Sequence, residues 1–410
     1  MPQDSTSLTR TAPQQRRTYR VLMVASTSFF SDYGCHVRIL EEARTLQQLG
    51  NQVTICTYHN GRDVAGLDIR RTLPIPWRTN YEVGSSRHKI GFDALLSLKT
   101  LSVAAQIRPD IVHGHTHEGA FIGYPVSRLL GAPLVLDFQG SMTSEMIDHQ
   151  FLNPTGRIYR PARWMEQRIL QLPSAIVTSS LHAQTLLTND FHCAPDKISA
   201  IPDCVNTESF AAKLPEQQRR AVRARLHIPP DSEVVVYLGL LAEWQGTSLL
   251  LRAAKRLVSR RPNVHLLVMG FPAVDTYRHQ AEQLGLANHV TFTGRIPYDQ
   301  APVFLAAGDV AVAPKTSATE GSGKLLNYMA MSLPTVAFDV PVSREYLGDL
   351  GVYARVRDVI SLADALEALL ANRERAASLG KALRQRAIER YSWSSAGQRI
   401  MDVYDTIAER

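Results

Sequence analysis

The sequence predicts an α/β protein of two doubly wound, Rossmann-like domains, each a parallel sheet with helices on both faces and the two facing a central cleft. Three observations carry this. Short, continuously apolar strands alternate with amphipathic helices along most of the chain, the pattern of parallel strands buried on both faces. The alternation breaks at FAAKLPEQQRRAVRARLHIPPD (210–231), which is charged, proline-bounded and without a buried-strand signal. It then restarts, and 410 residues suffice for two or three domains. The expected organisation is a disordered tail over 1–18, a first domain over 19–209, a linker with a short exposed helix over 210–231, and a second domain over 232–391.

The elements follow in order. YRVLMVA (19–25) is the first strand, and HVRILEEARTLQQLG (36–50) a helix ended by Gly50. QVTICTY (52–58) is a strand, and the stretch 59–90 has no readable pattern. A helix near 91–107 precedes the strand DIVHGH (110–115), one near 119–130 precedes PLVLDFQG (133–140), and a basic helix near 157–171 precedes AIVTSS (175–180). KISAIPD (197–203) closes the first series. The second holds the strands EVVVYLGL (233–240), VHLLVMG (264–270), VTFTGR (290–295), VAVAPK (310–315), TVAFD (335–339) and VYA (352–354), with helices between and after them.

Composition narrows the function. Apolar content of 45% and charged content of 20% describe a soluble globular protein, and no apolar run approaches the length of a membrane span. Arg10, Arg16, Arg17 and Arg20 mark the N-terminus, without the apolar stretch of a secretory signal. Cys35, Cys56, Cys193 and Cys204 are scattered, which fits a reducing cytoplasm and argues against a zinc site or disulfide framework. The net charge of +7 suits an anionic partner or simply a basic surface. No nucleic-acid module is present, so nucleic acid is not expected as a partner.

In such sheets ligands bind at the carboxyl ends of the strands, and with two domains the site is the cleft between them. EGSGK (320–324) sits at one such end. It is not the phosphate loop of an ATPase: Ala318 stands where the first glycine belongs, and Leu325 where a hydroxyl must reach magnesium. A strand, a glycine loop and a helix from about Ser322 still make an anion site, or else an ordinary helix start. His113, His115, His117 and Glu118 follow another strand. Alternate residues of a strand share a face, so the three histidines could gather on a metal, serve structure, or stand near the reacting groups.

These pieces together carry a resemblance: YGCHVRILEEARTLQQLGNQVTI, DIVHGHTHEGAFIGYPVSRLLGAPLVLDFQG, AIVTSS, IPDCVNTESF, TFTGRIPYDQAPVFLAAGDVAVAP and EGSGKLLNYMAMSLPTVAFD. The chain resembles a retaining glycosyltransferase of the GT-B fold, family 4, from about residue 19 to 408. The closing YSWSSAGQRIMDVYDTI resembles the family's terminal helix, which implies that 392–410 returns to the first domain.

The resemblance implies a nucleotide-sugar donor, a hydroxyl acceptor (glycan, lipid-linked or small molecule) and no cofactor. Glu320 matches the acidic residue that contacts the sugar hydroxyls, while Gly321, Ser322 and Gly323 would offer N–H groups to sugar and diphosphate. Lys324, Leu325 and Asn327 follow on the helix, with Asn327 where the family often grips the ribose with a glutamate. His115 and His117 both fall where an active-site histidine is expected, Gly34 matches a glycine loop facing the diphosphate, and Arg295 and Ile296 lie where backbone groups meet the base. Two cations are missing: Leu240 stands at the family's arginine and Gln245 at its lysine. Removing one electrostatic donor to a transition state typically costs about 2.7–4 kcal/mol. Lys324, one turn into the helix, is the first candidate to replace them, followed by Lys315 and Arg295. No D-x-D occurs, which fits metal-independent transfer by attack on the face the donor phosphate leaves. The alternatives are a catalytically silent homologue that binds a sugar nucleotide or a partner, and a phosphorylase or epimerase.

The helix GRIYRPARWMEQRILQL sets Arg157, Arg160, Arg163 and Arg168 beside Trp164, Ile169 and Leu170. It reads either as a contact with the inner face of the cell membrane or as a core helix, with Pro161 interrupting a long surface.

Overall fold

The computed structural model describes residues 17–75, 89–211, 215–317 and 319–409. All but residues 17 and 18 of the expected tail, and much of the 59–90 stretch, lie outside that set. Among the described residues thirteen strands form two sheets. The first holds β1 (Arg20–Ala25), β2 (Gln52–Thr57), β3 (Asp68–Arg71), β4 (Ile111–His115), β5 (Leu134–Phe138), β6 (Ala175–Thr178) and β7 (Ile198–Ala200), in the order β3-β2-β1-β4-β5-β6-β7. The second holds β8 (Glu233–Leu238), β9 (Val264–Met269), β10 (Val290–Gly294), β11 (Val310–Ala313), β12 (Thr335–Phe338) and β13 (Val352–Ala354), in the order β10-β9-β8-β11-β12-β13. Every pairing is parallel. The strand order reverses between β1 and β4 and between β8 and β11, which opens a crevice at the carboxyl end of each sheet.

The buried strands are fully apolar runs, as VLMVA in β1 and VVVY in β8. β3 was not expected, because DIRR is polar and half-exposed at the sheet edge. Two short helices, Met142–Asp148 and Leu181–Asn189, also escaped the sequence reading. Each is capped by a serine: Ser141 accepts from the Ser144 N–H and Ser180 from that of Ala183.

Two expectations need correction. The 210–231 stretch carries the expected short helix, most of it exposed, but it does more than link the domains. Its helix, Glu216–Arg225, is fastened to the second domain. Arg223 is buried and donates to Ala307 O at 2.9 Å, Ser232 O at 3.0 Å and Asp309 Oδ2 at 2.8 Å. Phe210, Val222 and Ile228 join that domain's core. The helix Lys89–Ile107 is, by length and composition, apolar enough to cross a membrane, although no such run was expected. Here it covers the first sheet through Phe92, Leu96, Val103 and Ala104.

The last helix, Trp393–Ala408, packs in the first domain. Trp393, Ile400, Met401 and Tyr404 lie in one core cluster with Val21, Met23, Ile39 and Leu46. A Cβ on Gly397 would collide with Thr45, so the helices approach closely there.

Candidate active site in the interdomain cleft

The carboxyl ends of both sheets face each other across a cleft of about 330 Å³. Its first-domain wall comes from the residues after β1, β4, β5 and β6, and its second-domain wall from those after β8, β9 and β11. Of the residues expected from the sequence, Gly34, His117, Ile296, Lys315, Glu320, Gly321, Ser322, Gly323, Lys324 and Asn327 line it. His115, Arg295 and Leu325 do not. Leu325 is core, and Arg295 lies over the Phe271 ring, 3.9 Å from its centroid, with Phe271 forming the wall instead.

The histidine run separates into two environments. His113 and His115 stay on β4 and stack, ring centroids 4.7 Å apart, inside the first domain. His115 Nδ1 faces Asp137 Oδ2 at 3.0 Å, and His113 Nδ1 meets Tyr404 Oη at 2.7 Å. The strand ends at His115, and Thr116 takes a positive φ of 63°. His117 is thereby turned into the cleft, buried beside Phe138, and burial lowers its pKa. The three histidines do not converge. Glu42, His113 and His115 instead bring one ligand atom each within 4.8 Å of one another. Arg38 already neutralises that spot, at 3.1 Å from Glu42 and 2.9 Å from Asp137, so a cation there would meet its positive charge.

Glu320 is the centre of the second-domain wall. Lys315 Nζ lies 2.7 Å from Glu320 Oε2 and donates to Gly321 O at 2.7 Å. Burial alone would raise the Glu320 pKa, but Lys315, with help from His149 and Lys324, holds it below the usual carboxylate range. The carboxyl is therefore ionised and its position fixed. Gly140 of the first domain makes room for it: a Cβ there would lie 3.1 Å from Glu320 Cγ.

Lys324 points across to β8. Its Nζ donates to Gln245 Oε1 at 2.8 Å and to Tyr237 Oη at 3.2 Å, and it lies over the Tyr237 ring. Gly239 leaves the space, since a Cβ there would lie 2.6 Å from Nζ. The ammonium thus stands beside the two positions, Leu240 and Gln245, that lack the expected cations. Burial, and then Lys315, push its pKa well below that of an ordinary lysine, with Glu320 working the other way. The hydroxyls of Ser179 and Ser322, both in the cleft wall, have no hydrogen-bond partner among the described residues.

Sequence reasoning missed several wall residues. Asp203 faces Gly321 from the first domain and is held by Arg38 at 3.0 Å. Lys89, also unforeseen, pairs at 3.2 Å on the first-domain side with Glu118, which the sequence had already brought forward. Trp244 packs against His149 across the cleft, ring centroids 3.9 Å apart and planes tilted by 38°. The only advance signal for these was position: Trp244 sits in GLLAEWQG, directly before Gln245.

Comparison with known proteins agrees with this geometry. Residues 34–209 match the family described as Glycosyltransferase Family 4, and residues 218–386 match Glycosyl transferases group 1. The chain belongs to glycosyltransferase family 4. This glycosyltransferase is 27% identical to a phosphatidyl-myo-inositol mannosyltransferase of Mycobacterium tuberculosis, over 95% of this chain and 97% of the relative. It is 25% identical to a D-inositol 3-phosphate glycosyltransferase of Corynebacterium aurimucosum, over 90% of each. Its fold is that of Anabaena HepE, solved with UDP and glucose (TM-score 0.76, 16% identity, 95% of this chain and 100% of that one). It is likewise that of the sucrose-phosphate synthase of Thermosynechococcus elongatus (TM-score 0.81, 17% identity, 96% and 99%). The two-sheet glycosyltransferase thus has the GT-B fold.

Proposed function

We propose that this glycosyltransferase moves a sugar from a nucleoside-diphosphate sugar to an acceptor hydroxyl, with retention at the anomeric carbon and without a metal ion. The observation that carries the reading is the placement of Lys324, whose ammonium lies 2.8 Å from Gln245 Oε1, beside Gly239 at the end of β8. There it would meet the charge that develops on a leaving diphosphate, which preorganised cations stabilise. Glu320, kept ionised by Lys315, would accept hydrogen bonds from the sugar hydroxyls and oppose positive charge at the anomeric centre. Ser322 and the backbone of Gly321 and Gly323 would meet the diphosphate at the start of the helix Gly323–Ala330. The departing phosphate oxygen then takes the acceptor proton on the same face.

The acceptor is the open half of the reading. The relatives' names make inositol phosphates and phosphatidylinositol the first acceptors to assay. The donor is found by thermal shift against UDP-, GDP- and ADP-sugars, because a ligand at 100 times its Kd adds about 2.7 kcal/mol of stability. With donor and acceptor in hand, Glu320→Ala should abolish transfer in a protein that still folds, with a lowered Tm because Lys315 loses its partner, and Lys324→Ala should weaken diphosphate binding and lower kcat. Near-normal turnover in Glu320→Ala would sink the assignment. Chelation with EDTA should leave the rate unchanged, and the product anomer, read by NMR, should match the donor's.

A further inference from the structure

Large apolar side chains are not spread evenly over this molecule. Among the described residues fifteen are exposed, and nine of them lie on or directly before three helices of the first domain. These are Lys89–Ile107, Thr116–Leu130 and Tyr159–Leu170. They pack side by side on one face of the first sheet and contribute Phe92, Leu96, Ile122, Val126 and Ile169 to a common core. Their inner faces are therefore spent. Outward they present Leu98, Phe121 and Trp164, at 68%, 61% and 59% exposure, and Ile90, Leu129 and Met165 are exposed on the same helices. The helix expected from the sequence to touch a membrane is only one part of this surface, and its Ile169 and Leu170 are core rather than contact residues.

Charge on the same surface is one-sided. The three helices carry three carboxylates, Asp93, Glu118 and Glu166, and none is exposed. Asp93 takes the Tyr58 hydroxyl, Glu118 pairs with Lys89, and Glu166 accepts the Met142 N–H. Arg128, Arg157, Arg160 and Arg168 are exposed. Exposed large apolar side chains gathered on one helical layer, nine of fifteen, mark an interaction surface. Arginines without carboxylates fit an anionic partner, and protruding apolar side chains fit one that can be entered. A second copy of the chain would bring like charges together across a two-fold axis.

We propose that the outer surface of this three-helix layer docks on an anionic lipid bilayer. Apolar side chains enter the headgroup–acyl boundary while the arginines meet lipid phosphates. The cleft is then held at the membrane, because Lys89 and Glu118, at the starts of two of these helices, line its first-domain wall. Docking stands apart from the transfer chemistry, since none of the protruding side chains lines the cleft.

The test is co-sedimentation of the full chain with vesicles of phosphatidylglycerol and phosphatidylcholine, and with phosphatidylcholine alone. Binding is expected to the anionic vesicles at low salt and to fall steeply as salt rises. Leu98→Glu with Phe121→Glu should lower the partition coefficient more than tenfold. Arg160→Ala and Arg168→Ala should each lower it about fivefold. All these variants should keep the wild-type Tm and sugar-nucleotide binding. A chain left in the supernatant with anionic vesicles at low salt overturns the proposal, as does equal binding by the Leu98/Phe121 and arginine variants. A concentration-dependent dimer that the double substitution abolishes, with no vesicle binding, assigns the surface to a second copy instead.

Discussion

Lys324 is a half-buried ammonium held by Tyr237 Oη and Gln245 Oε1, and among the described residues no carboxylate lies at ion-pair distance from it. Burial and the neighbouring Lys315 depress its pKa well below that of a free lysine. A bound diphosphate reverses that balance, because it favours the charged form. Two consequences follow with definite sign. Diphosphate affinity should fall as pH rises through the depressed pKa of Lys324, at lower pH than an ordinary lysine would give. At a pH between the free and bound values, binding should take up protons. Titration calorimetry in buffers of different ionisation enthalpy reads both effects, and Lys324→Ala should remove them. Gln245→Lys in the Lys324→Ala background should restore part of the lost affinity, because the two side chains reach the same point. In the wild-type background it should depress Lys324 further. At this scale Glu320 and the glycines after it were legible, because they form one continuous motif. Asp203, Trp244 and His149 were not: they meet the site from segments far away in sequence, and periodicity says nothing about such meetings. Which of His115 and His117 faces the cleft turns on one backbone angle, at Thr116, which residue spacing does not encode.

The strands were legible as elements because burial on both faces makes them continuous apolar runs. β3 is the counter-example, since an edge strand need not be apolar. Helices of seven and nine residues are too short to show a helical period, so Met142–Asp148 and Leu181–Asn189 left only their capping serines as a trace. The 210–231 helix misled for another reason. Its arginines look solvated in sequence, yet Arg219 and Arg223 both close on Asp309 and on the carbonyls that end the helix before β11. The returning helix gives a prediction at this scale. Gly397 lets it lie against Thr45 of the helix Gly34–Gln48. Gly397→Leu overpacks that contact and should cost about 1–3 kcal/mol. Denaturant unfolding should show the first domain destabilised, with the second-domain transition unmoved.

At the scale of the whole molecule the two domains are joined by more than their crossovers. Glu345 of the second domain accepts from the Leu181 N–H at 2.9 Å and also takes the His182 N–H, at the start of a first-domain helix. Tyr346 Oη donates to Ser179 O at 2.7 Å beside it. On the other side of the cleft the Tyr298 N–H donates to Asp32 Oδ1 at 2.9 Å. Glu345→Ala removes a carboxylate cap from a helix start and should cost about 0.5–2 kcal/mol. It should also widen the interdomain angle, seen as a larger radius of gyration in small-angle scattering. A variant as compact as the wild type would show that the crossovers alone set the angle. The division into two halves was legible from the interrupted alternation of strands and helices. How the halves face each other was not, because the contacts that decide it join residues more than a hundred positions apart.

The returning helix has a further consequence, in time rather than in space. A chain leaves the ribosome from its N-terminus, and domains generally fold in that order. Here the first domain cannot be finished first. The apolar socket formed by Val21, Met23, Ile39 and Leu46 is closed by Trp393, Ile400 and Tyr404. Those residues are synthesised after the whole of the second sheet. The nascent first domain therefore waits with an open apolar face while its neighbour is made, and it can close only once the returning helix has itself been synthesised.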